Sequence, residues 1–428
     1  MNIKTMPDMK KLLILMTVLC AWSAQAQNKN YITRVFDFMP APGQFVNNSP
    51  EYHVGEPRDS VMARVLQRLG PEIQVIPIYD DDDNQIGERT VEKPVTGRLI
   101  SLGAFGGYVI FGFDHPLVNV PGEFDLQIFG NGFGSDSLAV AGGSSEPGIV
   151  VAGVDMDGDG VPSAGDKWYE LAGSEHSNAK TQKDFSITYY RPDENKTPVP
   201  NPNNSAITDM EYVRWTCNST DSLTEGYVAR NKFHSQSYWP QWTDADSLTF
   251  SGTKLRCNAV DASGVGRYYV QYFFDWGYVD NRTDYDYGIG ANSTSSEPYS
   301  EAVRKGYNLG FNLDWAIDAD GNSVNLTKVD FIKVYSALLQ DCGWLGETST
   351  EVCGAIDLHP DAPIPADPVV RGDVTGDNTV DVSDVNTVIN IMLGKASASD
   401  YPNADIDGQG GIDVGDVNMI INIMLGKQ

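Results

Sequence analysis

A twelve-residue block near the end of the chain occurs twice. Residues 384–395 read DVNTVINIMLGK and residues 416–427 read DVNMIINIMLGK, ten identities in twelve at an offset of 32. Repetition that close means one supersecondary unit used twice, with each copy covering apolar surface the other cannot bury alone. An acidic loop precedes each block. The first runs Asp373-Val-Thr375-Gly-Asp377-Asn-Thr379-Val-Asp381-Val-Ser-Asp384, the second Asp405-Ile-Asp407-Gly-Gln409-Gly-Gly411-Ile-Asp413-Val-Gly-Asp416. Side-chain oxygens at loop positions 1, 3, 5, 9 and 12, with a main-chain carbonyl at position 7, can wrap one hard cation in six or seven oxygens. Val380 and Ile412, at position 8, would pin each loop to its neighbour. Val385, Val388, Ile389, Ile391 and Met392 then form a helical stripe that Gly394 ends. The unit is half an EF-hand, repeated.

Residues 371–428 resemble a type I dockerin, whose pattern carries Asp at loop position 12 where many EF-hands carry Glu. The resemblance covers this whole segment and implies a small all-α module that binds calcium and docks to a cohesin-like partner. By position, it implies one calcium on Asp373, Thr375, Asp377, Thr379, Asp381 and Asp384, and another on Asp405, Asp407, Gln409, Gly411, Asp413 and Asp416. Thr379 and Gly411 would contribute main-chain oxygens. Two positions depart from the family. Asn378 replaces the usual Gly at position 6, which Asn tolerates because it enters left-handed geometry readily. Gln409 replaces an acid at position 5, so the second loop is one charge short and should bind more weakly. Positions 10 and 11, which help dockerins recognise cohesins, are Val382-Ser383 and Val414-Gly415. Their similarity permits two equivalent docking faces.

The other end reads as an export signal. Lys10-Lys11 precede the apolar run Leu12–Leu19, and Ala24-Gln25-Ala26 offers a cleavage site, so residues 1–26 fit a signal peptide. Lipidation at Cys20 and an uncleaved anchor are the alternatives, the first disfavoured by the bulky Leu19. The run is too short to cross a bilayer, and no later segment reaches the roughly 18–20 apolar residues required. The expected location is secreted or at the cell surface. Without residues 1–26 the chain carries 27 Lys+Arg against 57 Asp+Glu, a net charge of −30. Such a surface repels nucleic acid and anionic membrane and attracts divalent cations.

Four cysteines then remain: Cys217, Cys257, Cys342 and Cys353. In an exported protein they allow two disulfides, with Cys217–Cys257 and Cys342–Cys353 the favoured pairing and buried thiols the alternative. The absence of a C-x-x-C pair argues against a cysteine zinc site.

Leu358 to Pro368 is a proline-rich stretch, so residues 358–370 read as a semi-rigid linker. Residues 27–94 read as an N-terminal segment with strands and a short helix, Asp59-Ser60 capping Val61–Leu69 before Gly70-Pro71. Residues 95–357 read as strands: 108–113, 124–129, 149–154, 268–274 and 329–335 are β-branched or aromatic runs bounded by turn residues. In 124–129, Phe124, Leu126 and Ile128 alternate with Asp125 and Gln127, as in a half-buried strand. The expected fold is mainly β, an antiparallel sandwich of the jelly-roll kind followed by the small helical module. Residues 106–131, 146–150, 168–173, 311–335 and 346–351 together resemble a β-rich domain of secreted cell surface proteins from gut Bacteroidetes. That resemblance spans about residues 95–357 and implies location and fold rather than an activity.

Asp155-Met-Asp157-Gly-Asp159-Gly-Val161-Pro-Ser163-Ala-Gly-Asp166 repeats the oxygen spacing of the terminal loops. It reads as a structural calcium loop, with Val161 supplying its carbonyl, or else as an acidic turn that binds nothing. The run Asp80–Asp83 and the turn Asp318–Gly321 read as solvated hairpin tips.

Dockerins commonly ride on polysaccharide-degrading enzymes, which raises glycoside hydrolysis by a carboxyl pair. Asp275 beside Trp276 and Glu170 beside Tyr169 are acids of that kind, but nothing in the sequence brings two together. Neither H-E-x-x-H nor G-x-S-x-G occurs. Carbohydrate binding is the favoured reading: Tyr238, Trp239, Trp242, Trp276 and Tyr278, with Asn281, Tyr285 and Tyr287 following, offer flat faces for a sugar ring. A binder of another nutrient and a structural adhesion protein are the remaining alternatives.

Overall fold

The structure is a computed structural model that describes residues 30–79, 85–93, 98–134, 142–220, 223–281, 310–365, 371–376 and 379–427. Residues 1–26, Asp80–Asp83, Tyr285, Tyr287, Asp377, Asn378 and the linker end 366–370 lie outside them. The chain divides into two compact units, one of Met1–Gly153 with Trp168–Pro363, the other of Val154–Lys167 with Ile364–Gln428.

The large unit is built on antiparallel sheets. Its principal strands are β1 (Arg34–Met39), β2 (Tyr108–Gly112), β3 (Gly148–Val154), β4 (Lys167–Leu171), β5 (Gln182–Tyr190), β6 (Ile207–Cys217), β7 (Glu225–Asn231), β8 (Ser247–Lys254), β9 (Ala316–Ile317) and β10 (Phe331–Ser336). One sheet has the order β1-β2-β10-β3-β4-β9, the other β7-β6-β5-β8. The inner faces meet in a single core that joins Ile149 and Tyr335 of the first sheet to Phe185, Ile187, Tyr189, Val213 and Phe250 of the second. Phe105 stands edge-on to Phe185 at 4.8 Å, and the buried Tyr335 hydroxyl accepts the Thr253 amide at 2.9 Å. This is the expected sandwich of two antiparallel sheets.

Three expectations change. The boundary near residue 95 is not a seam, because β1 pairs with β2 from Arg34↔Gly112 to Met39↔Tyr108. The early helix, α1, spans Arg58–Leu69 with Pro57 at its N-cap, so Asp59 lies in the first turn rather than capping it. Proline's fixed φ suits the entry to a helix, and a carboxylate one turn in favours the dipole. Every residue of the strand Leu126–Phe129 is buried, and its two edges pair with Gly310–Phe311 and Gly354–Asp357. Asp125, just before it, survives burial because its oxygens accept the amides of Val120 and Leu313 at 2.8 and 2.9 Å.

In the smaller unit, helices α2 (Val382–Met392) and α3 (Val414–Met424) follow the two acidic loops. Val388 and Ile420 meet Val374, Ala404 and Ile406 in a small core, with Val380 and Ile412 packed against it as expected of position 8. Gly394 and Gly426 follow the helices at φ 67° and 61°, the left-handed geometry that closes a helix end.

Candidate calcium centres

Each loop is organised by the two carboxylates at its ends. Asp373 accepts the amide of Gly376 at 2.7 Å, and Asp405 that of Gly408 at 2.9 Å. Asp384 and Asp416 reach back across their loops. Oδ1 accepts the amide of Val374 at 2.8 Å in the first and of Ile406 at 2.7 Å in the second. Oδ2 accepts the amide of Asp381 at 2.8 Å or of Asp413 at 2.9 Å. That second bond is half of a capping box, in which Asp381 and Asp413 are the N-caps of α2 and α3. The carboxylate that closes each loop therefore also completes the cap of the helix that follows.

The internal loop between β3 and β4 repeats these bonds. Asp155 accepts Gly158 and Gly160 at 2.7 Å each, as Asp405 accepts Gly408 and Gly410. Asp166 accepts Met156 through Oδ1 and Ser163 through Oδ2, at 2.9 and 2.6 Å. Asp155, Asp157 and Asp166 each place an oxygen within 4.8 Å of the other two, and so do Asp405, Asp407 and Asp416. Oxygens 2.3–2.6 Å from one calcium are separated by no more than about 5 Å. Both sets fit the ion on geometry and on donor chemistry. In the first loop Asp373 and Asp384 converge on Thr375, whose hydroxyl lies 3.4 and 3.0 Å from them.

The two terminal loops differ in a coupled way. A Cβ at Gly415 would lie 2.6 Å from Asp407 Oδ2. A side chain at position 11 of the second loop would thus displace the acid at position 3, whereas the first loop combines Thr375 with Ser383.

The other expected sites fare differently. Tyr238, Trp239 and Tyr278 are corrected from ligand-binding faces to core residues, all three almost wholly buried. The Tyr238 hydroxyl contacts the Asn231 amide at 3.2 Å, and that of Tyr278 accepts Glu175's at 2.8 Å. Trp242 and Trp276 are half-buried, the former stacked on Phe38 at 5.6 Å and the latter tilted on Trp315 at 4.7 Å. The five do not form one platform. Glu170 is tied to His176 and to the Thr253 hydroxyl, at 3.1 and 2.7 Å, while Asp275 is exposed. Asp318 accepts the amides of Asp320 and Asn322, making the expected solvated turn.

The cysteine pairing is also corrected: no disulfide joins Cys217, Cys257, Cys342 or Cys353. After Cys342 the chain turns at Gly346 and runs back, Thr348 bonded to Gln340 and Thr350 to Ser336, which carries Cys353 away. Cys217 stands opposite Ile187, whose other neighbour is Phe250, well before Cys257 on β8's outgoing chain. A disulfide requires Cα atoms within about 7 Å.

Sequence reasoning missed a cavity of about 570 Å³ in the large unit, lined among others by Phe45, Glu146, Phe233, Gln271, Trp344 and Glu351. Phe233 and Trp344 are exposed and meet edge to face at 5.8 Å. Their segments are separated by more than a hundred positions, so no local spacing could announce them.

No helix among the described residues is long and apolar enough to cross a membrane. A search of curated proteins finds no match to this chain. Residues 371–425 match the family model of the dockerin type I domain, and with the duplicated loop-helix geometry this terminal segment is a dockerin type I domain.

Proposed function

We propose that this chain is an exported, calcium-dependent protein whose dockerin docks to a cohesin-like partner and carries the β-sandwich as a ligand-binding cargo. One observation carries the docking reading. Val382, Ile389, Met392 and Leu393 are exposed, and so are Val414, Ile421, Met424 and Leu425, each displaced by 32 positions. All eight lie between 37 and 62% exposed, and paired positions differ by at most 4 points. Each helix thus buries one apolar side in the module and leaves a second for a partner, twice over. Calcium stiffens the loops that set both helix starts, so docking should need the ion.

The test is surface plasmon resonance of the full chain on immobilised cohesin modules. Binding in calcium that disappears in EGTA is the expected result. Equal affinity with and without chelator, or failure to bind any cohesin offered, would overturn the reading.

Export rests on the signal-like residues 1–26. The internal loop Asp155–Asp166, with Asp159, Val161 and Ser163 between its organising acids, serves as a structural calcium centre for the connection between β3 and β4. For the cargo, the favoured ligand is extracellular carbohydrate, held not by the aromatics that proved to be core but in the cavity rimmed by Phe233 and Trp344. Its volume is in the range of small-molecule sites, and it combines flat faces with Gln271 and carboxylates. A glycan array with Trp344→Ala and Phe233→Ala tests this: affinity should fall at least tenfold, and unchanged glycan binding would refute the site. Glycoside hydrolysis is the alternative, checked by release of reducing sugar.

A further inference from the structure

Three carboxylates from distant parts of the chain converge inside the sandwich unit. Glu146 precedes β3, Asp280 follows the segment that bridges to Gly148, and Glu351 begins the two-residue strand Glu351–Val352. Each offers an oxygen within 4.8 Å of the other two. Backbone geometry fixes them. The Glu146 amide donates to the Asp280 carbonyl at 3.0 Å, and the Glu351 amide to Asp280 Oδ2 at 2.9 Å. Asp280 Oδ1 accepts the amides of Asn131 and Gly132, each at 2.7 Å. A side chain at residue 130 could not fit, because a Cβ on Gly130 would lie 2.5 Å from Asp280 Oδ1.

A second observation concerns Glu347. This residue is only 6% exposed and lines the same cavity as Glu146 and Glu351. Its Oε1 accepts the Gln44 amide at 2.7 Å, but its Oε2 has no hydrogen-bond partner among the described residues. A buried carboxylate oxygen left without a donor costs free energy that a cation would recover. Among the described residues, the hydrogen-bond partners of the Glu146 carboxylate are the Gln271 side-chain amide, the Ser349 amide and Glu351, none of them cationic.

We propose that Glu146, Asp280 and Glu351 bind a divalent cation of the calcium class within the sandwich unit, at the cavity that Glu347 also lines. The donor set is entirely carboxylate oxygen, and its spacing suits an ion with 2.3–2.6 Å bonds. Magnesium, which retains several waters, is the poorer match to so enclosed a set. The proposal does not depend on the identity of the ligand in the cavity.

The experiment counts calcium on the full chain by native mass spectrometry, after the three loops are disabled with Asp155→Ala, Asp384→Ala and Asp416→Ala. One calcium should remain, and the further change Glu146→Gln should remove it. Thermal unfolding of the same loop-disabled chain provides a readout independent of whether Glu146→Gln folds: calcium should raise its transition temperature and saturate at one equivalent. A loop-disabled chain that retains no calcium and gains no thermal stability overturns the proposal. So does an ion that survives both Glu146→Gln and Glu351→Gln.

Discussion

Asp155 and Asp405 hold two loops 250 positions apart by the same bond, each accepting the amide of the glycine three residues on, Gly158 at 2.7 Å and Gly408 at 2.9 Å. The agreement extends to Asp166 and Asp416, which close their loops from position 12 through both oxygens. One acidic-loop design, closed by the same hydrogen bonds, therefore occurs in the β-strand connection as well as in the dockerin.

From this, Asp166→Ala should remove one calcium from the full chain while leaving cohesin binding intact. The loop has lost its closing acceptor for two amides, so the transition temperature should fall by a few degrees, corresponding to about 1–3 kcal/mol. Ion counting and calorimetry check the two parts separately. An unchanged ion count would assign the loop to an acidic turn.

The second dockerin loop can be tuned in both directions. Gln409→Asp restores a fifth-position acid and should tighten that site by about tenfold, because affinity in such loops follows ligand charge and rigidity. Gly415→Ser should weaken it, since the added Cβ meets Asp407 Oδ2 at 2.6 Å and displaces a ligand arm. Calcium titration of the full chain would resolve both, the first loop acting as internal reference.

Two equivalent docking faces predict redundancy. Val382→Asp or Val414→Asp alone should change cohesin affinity by no more than about twofold, the statistical loss of one of two faces, whereas the double variant should lose at least a hundredfold. A large loss from one single variant would show that only one face docks.

The local parts of this protein were legible in the sequence. The dockerin repeats, Asp155–Asp166 and most strands are defined by residues close together in the chain, where spacing alone states the geometry. What was illegible came from long-range packing. Tyr238 and Trp239 sit in a polar, turn-rich stretch that looks like a binding loop, but the sheet β7-β6-β5-β8 folds them into its core. Asp125 and Gln127 alternate with apolar neighbours as an exposed face would, yet both are buried, in or beside a strand that is paired along both edges. Glu146, Asp280 and Glu351 share no motif, because three separate segments bring them together.

The close approach of the two sheets has one mechanical test. Gly106 has φ 90°, and a Cβ there would lie 2.2 Å from the Cβ of Phe250 on the facing sheet. Gly106→Ala should therefore cost about 3 kcal/mol or more, from left-handed strain added to overpacking.

A last prediction concerns pH. His115 is held between two carboxylates, Nδ1 at 2.6 Å from Asp114 and Nε2 at 2.7 Å from the buried Asp357. Burial opposes its charge, but the bonds to Asp114 and Asp357 outweigh that and raise its pKa above 6.5. Asp357 is itself raised, so burial costs its carboxylate more than His115 returns, and the ion pair compensates only part of that cost. A histidine with a raised folded pKa contributes stability that is fully present below its unfolded value near 6.5 and lost as pH climbs through the folded one. His115→Gln should thus lower the transition temperature of the sandwich more at pH 6 than at pH 9. His359, which also acts on Asp357, remains in both proteins and cancels from the difference. A deficit that is constant across the range, or grows toward pH 9, would show that His115 acts by packing and neutral hydrogen bonds, with no contribution from its charge.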